Sequence, residues 1–266
     1  MTTSPAIETV GSQITERLMA FKLPTAAAEL VGRLTEAGHE AALADVLEVL
    51  ELEHQDRAER RVARLRCAAK LPPAKRFDTL EEQRLPQALR RQLRELAAGH
   101  FLERAVNVLA FGLPGTGKTH AACALGHALV EAGHTVLFTP TYQLVQSLLA
   151  AKRDLELPRA LRKLDHFELL ILDDLGYVQQ SPAEMEVLFT LLAERYERRS
   201  LLITSNLVFS QWDRIFQNPM TTAAAIDRLV HHAVILEFDV PSYRTRKPPA
   251  DPQPDEEPPN KGSAKT

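Results

Sequence analysis

The sequence predicts an α/β chain: a three-layer αβα domain with a central parallel sheet, preceded by a small α-helical N-terminal domain. Three observations carry this. Before Pro72 the apolar residues recur at helical spacing. Beyond about Leu96, short aliphatic runs alternate with helical stretches, the pattern of a sheet covered by helices. The first of those runs leads into a glycine-rich loop and then a helix. With 266 residues, 45% of them apolar and 25% charged, the chain has ordinary globular composition and enough apolar material for a sizeable core.

Residues 1–72 are expected to form the helical domain. Breaks fall at Lys22-Leu23-Pro24 and at Ala37-Gly38-His39, where proline and glycine interrupt the helical register. Leu43, Val46, Leu47 and Leu50 keep helical spacing, as do Ala58, Val62 and Leu65, and mark the buried stripe of an amphipathic helix. The overall net charge of −3 conceals a sharp segregation. Between Glu29 and Asp56 eight acids accompany one base, whereas between Arg57 and Arg76 eight bases accompany Glu59 alone. Arg57, Arg60, Arg61 and Arg64 lie opposite the apolar stripe, so this block is a candidate surface for a phosphate backbone. Leu71-Pro72-Pro73 then ends the helix, because proline lacks a backbone donor and restricts the residue before it. Residues 73–95, of mixed charge, read as a linker.

The second domain is expected over residues 96–245, with strands at Val106–Phe111, Thr135–Thr139, Glu168–Asp173, Leu201–Thr204 and Ala233–Phe238. A helix over Glu184–Glu197 is read from the spacing of Met185, Leu188, Leu192 and Tyr196. From Arg246 onward Pro, Asp, Glu, Asn and Lys dominate, and residues 246–266 are expected to be a disordered tail.

Several function classes are disfavoured. Cys67 and Cys123 are far apart and lack partners at metal-ligand spacing, which argues against a disulfide framework or a zinc site. No run approaches the roughly 18 uncharged apolar residues of a membrane span, and no basic-then-apolar leader opens the chain, so a cytoplasmic location without membrane partners is expected. His231-His232 has no sequence neighbour at ligand spacing and reads as surface, while Phe209, Trp212 and Phe216 keep the helical spacing of packing residues.

The chemistry sits at strand ends. Gly112-Leu113-Pro114-Gly115-Thr116-Gly117-Lys118-Thr119 matches G-x-x-x-x-G-K-[ST] after an apolar strand and before a helix. Glycines let the backbone wrap a phosphate with its N–H groups inward, and the helix dipole adds positive potential there. Lys118 is placed to neutralise phosphate oxygens, Thr119 to hold Mg²⁺, and His120 follows as the next contact of an ATP site. Leu169-Leu170-Ile171-Leu172-Asp173-Asp174 runs an aliphatic strand into two carboxylates, Asp173 for the magnesium and Asp174 for the attacking water. Leu201 to Asn206 is a third such run, whose Asn206 can donate to a phosphate or to that water. Ala225 to Leu229 carries Arg228 on a helix, placed to reach the phosphate of a neighbouring subunit or else to pair within the chain.

These elements occur in the order of the AAA+ ATPases, and several phrases resemble the IstB family of insertion-sequence helper proteins: Val136 to Tyr142, Leu169 to Tyr177, Ile203 to Leu207 and Pro241 to Arg244. The resemblance covers roughly residues 12–246 and implies an ATPase related to DnaC-type helicase loaders, with ATP and Mg²⁺ as cofactors, bound between subunits of a homo-oligomer. It also implies duplex DNA and a DDE transposase as partners, the protein assisting target selection and integration. Carried over, Lys118 and Thr119 become the Walker A contacts, Asp173 the magnesium residue, Asp174 the catalytic acid position, Asn206 sensor 1 and Arg228 the trans-acting finger. Many AAA+ enzymes have glutamate where Asp174 stands; the shorter side chain predicts slow hydrolysis. No helical lid is read after the last strand, so no sensor 2 arginine is assigned, and Arg244 is only a weak match to one. The loader relatives contact DNA through the helices after the second strand, which here carry Lys152, Arg153, Arg159, Arg162 and Lys163. A helicase loader, a nucleotide-switched scaffold and a small-molecule kinase are the competing readings on the same loop.

Overall fold

The computed structural model describes residues 5–176, 181–212, 215 and 219–242. Three helices open the chain: α1 (Pro5–Ala20), α2 (Pro24–Glu36) and α3 (Ala42–Ala69). They close on a small core of Ile14, Leu18, Ala27 and Leu43. The first break is fixed by Lys22 in the left-handed region and by Pro24 at the start of α2, the second by Gly38 at a φ of 73°. Arg17 donates to Glu51 at 2.8 Å and ties α1 to α3.

α3 outruns this small core. Its last turns pack Leu65 and Ala69 into the core of the sheet domain. Lys70, in the left-handed region, ends the helix, and residues 70–86 then run as a strap along the helix that follows the first strand. Residues 73–95 are therefore more than a mixed-charge linker. Most of α4 (Gln87–Ala97) lies there, and Leu89, Leu93 and Leu96 bury one of its faces in the sheet-domain core. Arginines between those leucines had masked a strongly amphipathic helix. A short turn, α5 (His100–Glu103), leads into the sheet.

The five strands are β1 (Asn107–Gly112), β2 (Val136–Pro140), β3 (Leu169–Leu175), β4 (Ser200–Ser205) and β5 (Ala233–Phe238). All pair in parallel, in the order β2-β3-β4-β1-β5. The aliphatic runs read from the sequence thus become strands, each within two residues of its expected ends. Buried on both faces, the central strands need apolar side chains at every position rather than alternate ones. One face packs on α3, α4 and α6 (Lys118–Glu131); the other packs on α7 (Thr141–Arg153), α8 (Leu157–Asp165), α9 (Pro182–Arg195) and α10 (Pro219–Val230).

Arg195 is a feature the sequence did not announce. Almost wholly buried, it donates to the carbonyls of Leu164, Phe167, Glu168 and Ser200, gathering the end of α8 with the entries of β3 and β4. Burial pushes its guanidinium down to about 10. Trp212 is fully buried with Phe209 edge-on at 5.2 Å, as packing residues; Phe216, Arg244 and the expected tail lie outside the described residues. Among the described residues, no helix is long and apolar enough to cross a membrane.

Candidate functional site

The C-terminal ends of the parallel strands converge on a cavity of about 340 Å³, of the size that binds small molecules. The loop after β1 forms its floor, with Gly115, Gly117, Lys118, Thr119 and His120 among the lining residues. Gly112 starts this loop where no side chain fits: an added Cβ would stand 2.6 Å from the Phe238 carbonyl of β5, at a φ of +155°. Its backbone can therefore lie against β5 and turn sharply. Thr116 braces the loop by donating to the Leu113 carbonyl at 2.9 Å, and the buried Lys118 ammonium donates to the carbonyls of Gly112 and Leu113 at 2.7 and 2.9 Å. Thr119 and His120 sit in the first turn of α6, where unpaired N–H groups face the cavity end of the helix.

The two adjacent carboxylates part company at a bulge. The β3–β4 register shifts between Leu172 and Leu175, and Asp174 takes a φ of 57°. Asp173 stays buried, accepting from the Thr204 hydroxyl at 2.7 Å and from Thr119. Asp174 is turned out into the cavity, its N–H held by the Thr204 hydroxyl at 2.9 Å. Burial pushes the Asp173 carboxyl above its ordinary value; the hydroxyls and Lys75 oppose the push and Asp174 adds to it. Asn206, at the end of β4, lines the same cavity. A desolvated carboxylate held by two hydroxyls, beside a glycine loop and the first turn of α6, suits a phosphate chain with a hard cation.

Other sequence candidates lie elsewhere. Arg228 does not line the cavity; it donates to the Ala224 carbonyl at 2.9 Å and lies over the Phe189 ring, with no carboxylate partner among the described residues. Most of the basic block on α3 is engaged within the chain. Arg57 pairs with Glu53 and covers the Phe21 ring, Arg60 pairs with Asp56, and Arg61 donates to the Gly133 carbonyl, while Arg64 is exposed. On α7 and α8, Lys152 pairs with Glu186 and Arg159 with Glu156, whereas Arg153, Arg162 and Lys163 are exposed and without ion pairs among the described residues. Folding also places Glu197 beside His231 and His232, with ligand atoms within 4.8 Å, a proximity that sequence spacing concealed. All three are exposed, and the Tyr196 hydroxyl lies 3.1 Å from His231 Nδ1. Burial pushes the Cys123 thiol up to about 12, the mark of a packing residue.

Sequence reasoning missed the cavity's fourth wall. Lys75, Thr79, Leu80 and Glu81 of the strap complete the lining. Only the proline pair at the end of α3 hinted that the chain leaves in an extended path there, and nothing in the pattern told which way it turns.

A glycine loop at the end of a buried parallel strand, with the acids of the next-but-one strand beside it, defines a P-loop ATP-binding domain of the AAA+ kind. The same fold occurs in the crystal structure of the DnaC helicase loader, with a TM-score of 0.53, 19% identity and coverage of 62% of this chain and 97% of that one. It occurs again in AMPPCP-bound DnaA from Aquifex aeolicus, with a TM-score of 0.51, 17% identity and coverage of 64% and 51%. The chain belongs to the IstB-like ATP binding protein family, whose pattern it matches over residues 15–249. It is 49% identical over 199 residues to an insertion sequence ATP-binding protein of Sinorhizobium fredii, covering 74% of this chain and 67% of that protein. It is 40% identical over 179 residues to the ATP-binding protein of insertion sequence IS21 from Pseudomonas aeruginosa, covering 67% and 68%.

Proposed function

We propose that this protein is an ATP-dependent, self-assembling DNA-binding ATPase that assists the transposase of an insertion sequence in choosing and joining its target, in the cytoplasm where that DNA lies. The observation that carries the hydrolytic part is the bulge, which turns Asp174 into the cavity that the phosphate loop and Asn206 also line. Lys118 neutralises β- and γ-phosphate oxygens, and Thr119 with Asp173 would hold Mg²⁺, which would supply charge to shield the phosphates. Asp174 orients a water for attack on the γ-phosphorus and takes its proton, Asn206 donates to the γ-phosphate, and ADP and phosphate leave. Arg228, remote from its own cavity, completes the site of the next subunit. A shorter carboxylate in place of glutamate makes turnover slow until assembly, DNA or transposase improves the geometry. Residues 1–72 contact DNA or a partner, and residues 96–245 carry the ATPase.

For the duplex, α7 and α8 offer Arg153, Arg162 and Lys163 on an exposed face, whereas the α3 arginines are mostly engaged in pairs. Contacts of this kind go to phosphates, so affinity falls steeply with salt and depends little on sequence. The names of the relatives place such proteins in insertion sequences, which is what favours a transposase over a replicative helicase as the partner.

Fluorescence anisotropy with labelled duplex and single-stranded DNA, each with ATP, ADP or no nucleotide and at two salt concentrations, tests this reading. Cooperative, ATP-requiring binding to duplex of any sequence is expected. Preference for single strands would transfer the protein to helicase loading, and binding to neither would remove DNA from its function.

A further inference from the structure

The strap is fastened to the phosphate-loop helix at three points. His120 Nε2 lies 3.1 Å from the Thr79 hydroxyl and 3.0 Å from the Arg76 carbonyl. His127 Nε2 lies 3.0 Å from the Pro72 carbonyl. Between them Leu71 packs onto Gly126, so closely that an added Cβ would stand 2.9 Å from Leu71 Cδ2. These ties hold Lys75 at the cavity wall, half-buried, and its ammonium acts on the Asp173 carboxylate. Among the described residues the Lys75 side chain has no hydrogen bond or ion pair. Glu81, the acid of the strap that also lines the cavity, is answered by Arg84 at 3.5 Å.

Lys75 and Lys118 line the same cavity from opposite sources, the strap and the phosphate loop. A polyanion bound in that cavity is attracted by both ammonium groups. Resting on the ATP-binding reading, we propose that Lys75 is a phosphate-contacting residue of the nucleotide site, supplied by the strap rather than by the phosphate loop, so that a bound nucleoside polyphosphate holds the strap against α6. The ligand class is a nucleoside di- or triphosphate. Because the strap continues directly from α3, the N-terminal helices and the nucleotide then share one stretch of chain.

The test uses the full chain with the fluorescent analogue mant-ATP and Mg²⁺. Lys75→Gln is expected to weaken binding about tenfold, the equivalent of about 1.4 kcal/mol, and Lys75→Arg to restore it to within about threefold. In hydrogen exchange, ATP is expected to protect the amides of residues 75–82 in the unaltered protein, a readout that does not depend on any variant folding. Unchanged affinity in Lys75→Gln, or a strap that ATP leaves unprotected, would overturn the proposal while ATP binding stands. Wild-type affinity in Lys118→Ala would instead strike at the phosphate-loop reading on which it rests.

Discussion

Asp173 and Asp174 are neighbours in sequence with opposite environments, and the separation has consequences for each. Asp174, turned into the cavity at the bulge, is expected to matter for chemistry and little for affinity: Asp174→Asn should keep mant-ATP binding within about twofold while phosphate release falls roughly 10²-fold, the scale of a lost general base. A scaffold that binds ATP without turning it over would behave alike with either side chain. Asp173 bears on stability. Its folded-state pKa is raised above the ordinary 3.8, so the folded form holds the proton more tightly than the unfolded chain does. Stability is then greater below that window and declines as pH rises through it, the reverse of the usual salt-bridged aspartate. Asp173→Asn keeps an acceptor for Thr204 and removes the charge. Its melting temperature without nucleotide or magnesium is expected to exceed the wild type's at pH 7 and to approach it near pH 4. A variant that melts lower at pH 7 would show that the carboxylate is already compensated. The two acids were legible in the sequence as a pair at a strand end. A role for each was read there too, but their opposite environments were not, because these depend on a register shift against β4 that no local pattern encodes.

Among the elements, the strands were the most legible, since a strand covered on both faces leaves an unbroken aliphatic run as its signature. α4 was obscured because Arg90, Arg91 and Arg94 punctuate its buried leucines, and composition spoke louder than spacing. The junction at Arg195 was hidden altogether: it joins α8, β3 and β4 through carbonyls, and backbone acceptors are contributed by any residue type. Removing this side chain takes a donor from four carbonyls at once, of which those of Leu164 and Glu168 keep a backbone N–H, from Phe167 and Ser200. Arg195→Met is expected to destabilise the protein by about 3 kcal/mol, in the range for breaking a buried charged network. At this chain length that is a fall of roughly 6–12 °C in the melting transition. Calorimetry on the two proteins checks it, and a loss under about 1 kcal/mol would mean that water replaces the guanidinium at those carbonyls.

At the scale of the whole molecule, the cavity holds the phosphate loop, Asp174 and Asn206 but not Arg228, and the proposed function assigns Arg228 to the site of a neighbouring subunit. Arg228→Ala is expected to bind mant-ATP as the wild type does while hydrolysis drops about 10³-fold, the lower end of known arginine fingers. Mixing it with Lys118→Ala protein, itself inactive, should restore part of the activity, since some junctions then pair an intact loop with an intact arginine. No recovery in the mixture would place Arg228 in a purely structural role against Phe189. The order of the motifs made the phosphate loop and the two strand ends legible, but a second copy is not written in one sequence. The last feature is mechanical. α3 has no glycine or proline among its 28 residues, so it cannot bend cheaply to absorb a displacement. At 1.5 Å per residue it is a rod of about 42 Å, and a tilt of about 5° where it meets the sheet domain swings its far end by roughly 4 Å. Motion too slight to notice beside the phosphates would arrive at the first helices magnified to the width of a side chain.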